Sequence, residues 1–379
     1  MAIKRILTQR LFDGNHYHDN KVIIIEDGVI IGFDDEADNV TEQIKGLVVP
    51  GFIDLQVNGG GSILFNTTPT LAGIKTIMTA HAQFGTTAML PTLITDKVSV
   101  MAKAADAVAS AIANNEPGIL GVHFEGPHLS VAKKGAHSED FIRQISNEEW
   151  QILERKDIGK VVVTLAPETV STSDITRMKK AGIDICLGHS NASYQQAQSA
   201  VNAGASGFTH LFNAMSPLQG REPGVTGCAL LNDDTACGLI VDGHHVDYVS
   251  CQLAIKTKPQ GKVFLVTDAM PPVGTQDNVF DFFDRQVHLA QGKLTSTTGE
   301  LAGSVLDMAT AVKNTHQQVK IPLDETLRMA SKYPADFIGE NLRGQLLIGK
   351  QADFVALNDE LGVLATWIAG ECIYHASIN

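Results

Sequence analysis

Apolar and polar positions change their rhythm twice along this chain. Over the first fifty residues, short apolar runs alternate with polar breaks, as in KVIIIEDGVIIGF (21–33), where two runs meet at Asp27-Gly28. That dipeptide tolerates positive φ and predicts a hairpin turn. The last thirty-five residues, with QLLIG, ADFVAL and VLATWIAGECIYH, have the same β-rich character.

The long middle segment follows another pattern. Eight short apolar runs recur at residues 51–58, 86–94, 119–127, 161–168, 184–190, 207–215, 237–246 and 263–270. Amphipathic stretches such as LAGIKTIMTAHAQFG and SYQQAQSAVNAG separate them, and Gly85, Gly182 and Gly204 are natural helix stops. Continuous apolar strands alternating with helices predict a parallel sheet covered on both faces, and eight of them predict an α/β fold of the (β/α)8 TIM-barrel type. The β-rich ends have no place in such a barrel. The expected organisation is a small β-sandwich domain from residues 1–50 and 344–379, and a barrel domain over 51–343.

With 379 residues and 44% hydrophobic content, the chain is long enough for one large and one small core. A formal charge of −13 argues against broad attraction to nucleic acid or to an anionic membrane, so an anionic substrate would need local positive charge. Cys186, Cys228, Cys237, Cys251 and Cys372 form no C-x-x-C pair, which suggests reduced thiols. The amino-terminal apolar run is too short for a signal peptide, and no stretch approaches membrane-spanning length. A soluble, cytoplasmic protein is expected.

In a barrel of this kind the chemistry gathers where strands end and βα-loops begin. Strand one ends in Gln56 and Asn58, strand three in His123 and Glu125, strand five in His189, strand six in His210 and Asn213, strand seven in Asp242, His244 and His245, and strand eight in Asp268; strands two and four offer only Thr95 and Glu168. Taken singly, each is as simply explained as a satisfied core histidine or a capping acid. Together on one rim, Glu125, His189 and His210 form a carboxylate–imidazole–imidazole set suited to zinc, and catalytic zinc sites use three protein ligands and keep a position open for water. Asp268, beside strand one across the closed barrel, is placed to move a proton. His123 is two residues from Glu125 on the same face, either an extra ligand or, more simply, a hydrogen-bonding group inside the barrel. A two-metal version would want His-x-His at strand one. Gln56 and Asn58 are poor ligands beside imidazole, so one metal is expected, with the two amides hydrogen-bonding around the vacant second position.

These stretches resemble the N-acetylglucosamine-6-phosphate deacetylase family of the amidohydrolase superfamily. The resemblance runs along essentially the whole chain and is carried by PGFIDLQVNG (50–59), LPTLIT (90–95), HFEGPHL (123–129), KKGAH (133–137), VTLAPE (163–168), GHSNA (188–192), THLFNAM (209–215), GREPG (220–224), DGHHVD (242–247) and LVTDA (265–269). It implies that Glu125, His189 and His210 are metal ligands and that Asp268 is the catalytic acid and base. It implies that His137 polarises the substrate's acetyl carbonyl, with Ala136 beside it in contact with substrate. Asn213, Ala214, Arg221 and His245 would cradle the sugar phosphate, some of them across a dimer interface, and Leu301, Ala302 and Gly303 would form a further substrate-contact loop. Family members with Gln-x-Asn at strand one bind a single metal.

The implied activity is removal of the acetyl group from N-acetyl-D-glucosamine 6-phosphate, giving D-glucosamine 6-phosphate and acetate, in amino-sugar catabolism or cell-wall recycling. One divalent metal per subunit is expected, Zn2+ first, with Fe2+, Co2+ or Mn2+ also suited to such ligands. The expected partners are a small sugar phosphate and a second copy of the chain in a homodimer. The nearest alternative is a deacetylase for N-acetylgalactosamine 6-phosphate or another N-acyl amino-sugar phosphate. A remote one is a non-catalytic scaffold, which Gln56 and Asn58 alone would favour.

Overall fold

A computed structural model describes residues 3–283, 285–296, 299 and 301–376. The eight apolar runs form one eight-stranded sheet in chain order: Phe52–Val57, Thr86–Ile94, Gly121–Glu125, Lys160–Leu165, Asp184–Leu187, Gly207–Phe208, Ala236–Leu239 and Val263–Leu265. Neighbouring strands are parallel throughout. The first and last strands meet through a parallel bridge between Val57 and Ala269, and the Asp268 N–H donates to the Gln56 carbonyl at 2.9 Å, closing the barrel. Strand two is buried at every position, as expected when side chains face the barrel interior on one side and helices on the other.

A helix follows each strand, and the local sequence starts most of them by the same means. Thr70, Ser171, Asp247 and Asp307 accept a backbone N–H as caps of helices Leu71–Ala82, Thr172–Ala181, Tyr248–Thr257 and Met308–Gln317. Ser146 with Glu149, and Ser193 with Gln196, form reciprocal capping boxes on Asn147–Leu153 and Tyr194–Ala203. Gly182 ends its helix at φ 83°, a conformation in which a Cβ is strained. At the amino-terminal mouth of the strands, Phe337 packs on Phe264 with ring centroids 5.1 Å apart.

The strands stop earlier than their apolar runs. The run 207–215 forms a strand only at Gly207–Phe208 and 263–270 only at Val263–Leu265, with single bridges further on at Met215 and Ala269. Beyond those points most side chains stay buried while the backbone leaves the continuous ladder, so apolar content overestimates strand length at this end.

The β-rich termini come together as expected, but as a single curled sheet. Strands Lys4–Phe12, Tyr17–Glu26, Val29–Asp34 and Glu42–Pro50 join Phe354–Leu357, Val363–Ile368 and Glu371–His375 in one seven-stranded ladder. Glu42–Pro50 pairs with Phe354–Leu357 to unite the two ends of the chain. The sheet folds back so that Val29, at one edge, bridges Gln351 beside Phe354–Leu357. Its concave side encloses its own core of Ile6, Ile23, Ile25, Ile30, Val48, Phe354 and Trp367, distinct from the barrel core. Asp27 and Gly28 both have positive φ at the expected hairpin. The run VLATWIAGECIYH divides into two strands at Ala369-Gly370, again with positive φ at both.

One element had no counterpart in the sequence reading. Between strand eight and Met308–Gln317 lies a three-stranded antiparallel sheet, Val279–Phe282, Arg285–Ala290 and Lys293–Ser296. Phe282, Val287 and Leu294 bury against Leu64, Ile94, Met270 and Ala302 at the barrel rim. No helix of the described residues is long and apolar enough to cross a membrane.

Phe354 is fully buried and stacks on Trp367 at 4.8 Å between centroids. Phe354→Ala should therefore destabilise the curled sheet by about 3–5 kcal/mol. Urea unfolding checks this; a midpoint equal to wild type would contradict the core assignment.

Candidate active site

The rim residues are set by an unusual backbone. Glu125 is the last residue of strand three, whereas His189, His210 and Asp268 lie just past strands five, six and eight with φ of 46°, 31° and 53°. Ala214 also has positive φ, at 50°. Left-handed backbone at a non-glycine residue costs on the order of 1–3 kcal/mol and concentrates at functional sites. Here cross-loop hydrogen bonds hold it in place: Ser190 N–H to Ala214 O at 2.9 Å, Ser304 N–H to Asp268 O at 2.9 Å and Met270 N–H to Ser304 O at 3.0 Å. Glu168, at the end of strand four, accepts from the Ser190 hydroxyl at 2.7 Å and the Asn191 N–H at 2.6 Å, and so anchors the loop that carries His189.

Glu125, His189 and His210 converge, all buried. The Nε2 atoms of His189 and His210 lie 3.3 and 3.1 Å from Glu125 Oε1 and 3.0 Å from each other. His189 Nδ1 is 2.9 Å from the Lys133 carbonyl, which can only accept, so Nδ1 carries the proton and Nε2 presents a lone pair. Lone pairs of an imidazole and a carboxylate at this range repel unless something positive lies between them. Burial opposes charge on Glu125, yet the two imidazoles beside it hold its pKa well below the usual carboxylate range. This donor set fits a divalent cation.

Asp268 faces the cluster. Asn58 Nδ2 donates to its Oδ1 at 2.6 Å, and Gln56 Nε2 donates to the same oxygen at 3.1 Å and to Glu125 Oε1 at 3.0 Å. The two strand-one amides thus bind two buried carboxylates with neutral N–H groups. Burial first, then the charge of Glu125, pushes the Asp268 pKa up to about 6. A carboxyl group poised there can accept and return a proton near neutrality.

These groups open into a cavity of about 440 Å³, within the size range of small-molecule sites. Asn58, Glu125, Ala136, His137, His189, His210, Asn213, Ala214, His245, Asp268, Leu301 and Gly303 all line it. His137 sits with its ring 4.3 Å from that of His189, and burial pushes its pKa down to about 3, so it is neutral. His245 is held by Asp242 at 2.6 Å, while its neighbour His244 is exposed, so one of the two adjacent histidines faces inward. His123 bonds the Leu55 carbonyl and Thr164 inside the barrel at 2.9 and 2.7 Å.

Three expected residues are placed elsewhere. Gln56 lies beneath the cavity, and Ala302 is fully buried behind its wall with Phe282. Arg221 is exposed, outside the cavity, and has no ion-pair partner among the described residues. Its neighbour Glu222 accepts the N–H groups of Tyr194 and Gly224 at 2.8 and 3.0 Å. Ile94, Met270 and Phe282 also line the cavity and were missed. Phe282 had a signal: VFDF, RQVHLA and KLTS alternate at period two around Gln291-Gly292, a turn with positive φ at both residues.

A closed (β/α)8 barrel with carboxylate and histidine at its strand ends defines a hydrolase scaffold of the amidohydrolase type, and the sequence model of the Amidohydrolase family matches residues 47–373. The chain belongs to that family. It is 48% identical over 361 residues to the N-acetylgalactosamine-6-phosphate deacetylase of Shewanella sp. (strain ANA-3), covering 93% of this chain and 92% of that one. It is 34% identical to the N-acetylglucosamine-6-phosphate deacetylase of Haemophilus influenzae, covering 85% of each. The crystal structure of N-acetylglucosamine-6-phosphate deacetylase from Pasteurella multocida superposes with a TM-score of 0.94 at 36% identity, covering 98% of this chain and 99% of that one.

Glu125→Gln replaces an anionic donor by a neutral amide. Metal analysis by mass spectrometry should find roughly one divalent ion per wild-type chain and a large loss in the variant, with circular dichroism unchanged. Equal metal content in both would show that the ion binds elsewhere.

Proposed function

We propose that the chain is a metal-dependent hydrolase that removes the acetyl group from N-acetyl-D-glucosamine 6-phosphate, giving D-glucosamine 6-phosphate and acetate. The observation that carries this reading is the buried Glu125–His189–His210 cluster facing Asp268 across one cavity. A divalent cation held by Glu125, His189 and His210, Zn2+ by the nature of these ligands, would polarise the acetyl carbonyl and acidify a water. Asp268 takes the proton of the attacking water through the oxygen that the amides leave free. His137 donates to the acetyl oxygen as negative charge develops there. When the C–N bond breaks, Asp268 returns its proton to the departing amine, leaving acetate and a free amino sugar.

Asn213, Ala214 and His245 line the far wall, where we place the sugar phosphate. Arg221 is too peripheral to serve the cavity of its own chain, which favours a homodimer in which it reaches the neighbouring site; an Arg fork there would supply the positive charge that a phosphate needs. The same reading takes the curled terminal sheet (1–50 and 344–379) as a domain separate from the barrel (51–343), supported by its distinct core. The chemistry suits a cytoplasmic enzyme of amino-sugar catabolism or cell-wall recycling.

A second reading has specific support. The 48% identical relative is named for the galactosamine epimer. The metal chemistry is the same for both, and only contacts to one sugar hydroxyl differ. Acetate release from the two epimers, measured side by side on metal-loaded protein, decides between them; release from neither would overturn the function. With the better epimer, Asp268→Asn should retain metal and lose about 10²-fold or more in kcat, and near-wild-type turnover would remove Asp268 from its role. Arg221→Ala should raise KM for the phosphorylated sugar with little change in kcat. Unphosphorylated sugar competing equally well against wild type would refute the phosphate assignment.

A further inference from the structure

Thr95 directly follows strand two and is buried, 1% exposed. Nothing in the catalytic scheme above uses it. Its backbone N–H points at His137 Nδ1 at 3.4 Å, and its hydroxyl lies 2.8 Å from the same nitrogen. A backbone N–H can only donate, so the nitrogen it faces must present a lone pair. The hydroxyl has one proton and two candidate acceptors, His137 Nδ1 at 2.8 Å and the Glu125 carbonyl at 3.4 Å, and the shorter contact takes it. With Nδ1 accepting twice, the single proton of the neutral imidazole sits on Nε2, at the opposite edge of the ring.

The surroundings hold Thr95 in that position. Asn66 brackets the residue before it, donating to the Ile94 carbonyl at 2.9 Å and accepting the Ile94 N–H at 3.2 Å. Arg143 Nη1 donates to the carbonyl of the following Asp96 at 2.8 Å. Gly126 leaves room for the hydroxyl, because a Cβ there would fall 2.3 Å from Thr95 Oγ1.

We propose that Thr95 is a positioning residue that locks His137 as its Nε2–H tautomer and turns that N–H toward the cavity. It rests on the acyl-hydrolysis reading for its catalytic consequence but not for the tautomer itself. In the other tautomer Nε2 would present a lone pair to a carbonyl oxygen that is gaining negative charge, so the device acts on the transition state more than on substrate binding.

The test uses metal-loaded, 15N-histidine-labelled chain, with the His137 signals identified by their loss in His137→Asn. In wild type without substrate, the proton should reside on Nε2; a proton on Nδ1 overturns the proposal regardless of any activity. Thr95→Val keeps the shape and deletes the hydroxyl. It should yield a mixture of tautomers and a kcat lower by about tenfold, with KM within about twofold. Thr95→Ser should restore both. A pure Nε2–H tautomer and unchanged kcat in Thr95→Val overturn the proposal. If Thr95→Val does not fold, a Thr95→Ser variant with a mixed tautomer overturns it equally. Nε2–H in wild type with no acetate released from either epimer would instead refute the function and leave the tautomer assignment standing.

Discussion

Two carboxylates, Glu125 and Asp268, are buried within hydrogen-bonding reach of one amide, that of Gln56. Placing two acids in so dry a region is unfavourable unless positive charge or strong donors compensate. The rim supplies both: imidazoles on Glu125, amide N–H groups on Asp268, and a donor geometry suited to a cation between them. Gln56 and Asn58 therefore do more than fill the positions where a two-metal barrel would carry histidines. Both donate neutral N–H groups to one oxygen of Asp268.

In the layer beneath, burial disfavours charge. Burial pushes His123 down to about 4 and Asp54 up to about 7, and each is satisfied by hydrogen bonds to Thr164 and Thr267 respectively. Charge is thus confined to the cavity floor, where it can act, while the barrel interior below is polar but largely uncharged. The left-handed residues at His189, His210 and Asp268 belong to the same design. They turn the backbone inward, so that a side chain two or three residues beyond a strand converges on the barrel axis.

Most of the fold was legible because its signals are local. Eight apolar runs of strand length, with glycine stops and Ser/Thr/Asp caps on most of the intervening helices, are each produced by neighbours in sequence. Strand lengths were less legible, since burial outlasts backbone pairing at the carboxyl ends. The inserted sheet was overlooked because its strands are short and half-exposed, which weakens alternation, and because it follows the eighth strand, where a helix is the default. Arg221 was assigned by resemblance, and within one chain it lies exposed and outside the cavity.

Sequence alone determined the number and order of the barrel elements and the residue types on the rim, since these follow from short-range pattern and donor chemistry. It did not determine which nitrogen of His137 carries its proton, that Glu168 anchors the His189 loop, or that Phe282 forms a wall. Those depend on atoms brought within about 3–4 Å across long stretches of chain, and only closure of the barrel puts them side by side.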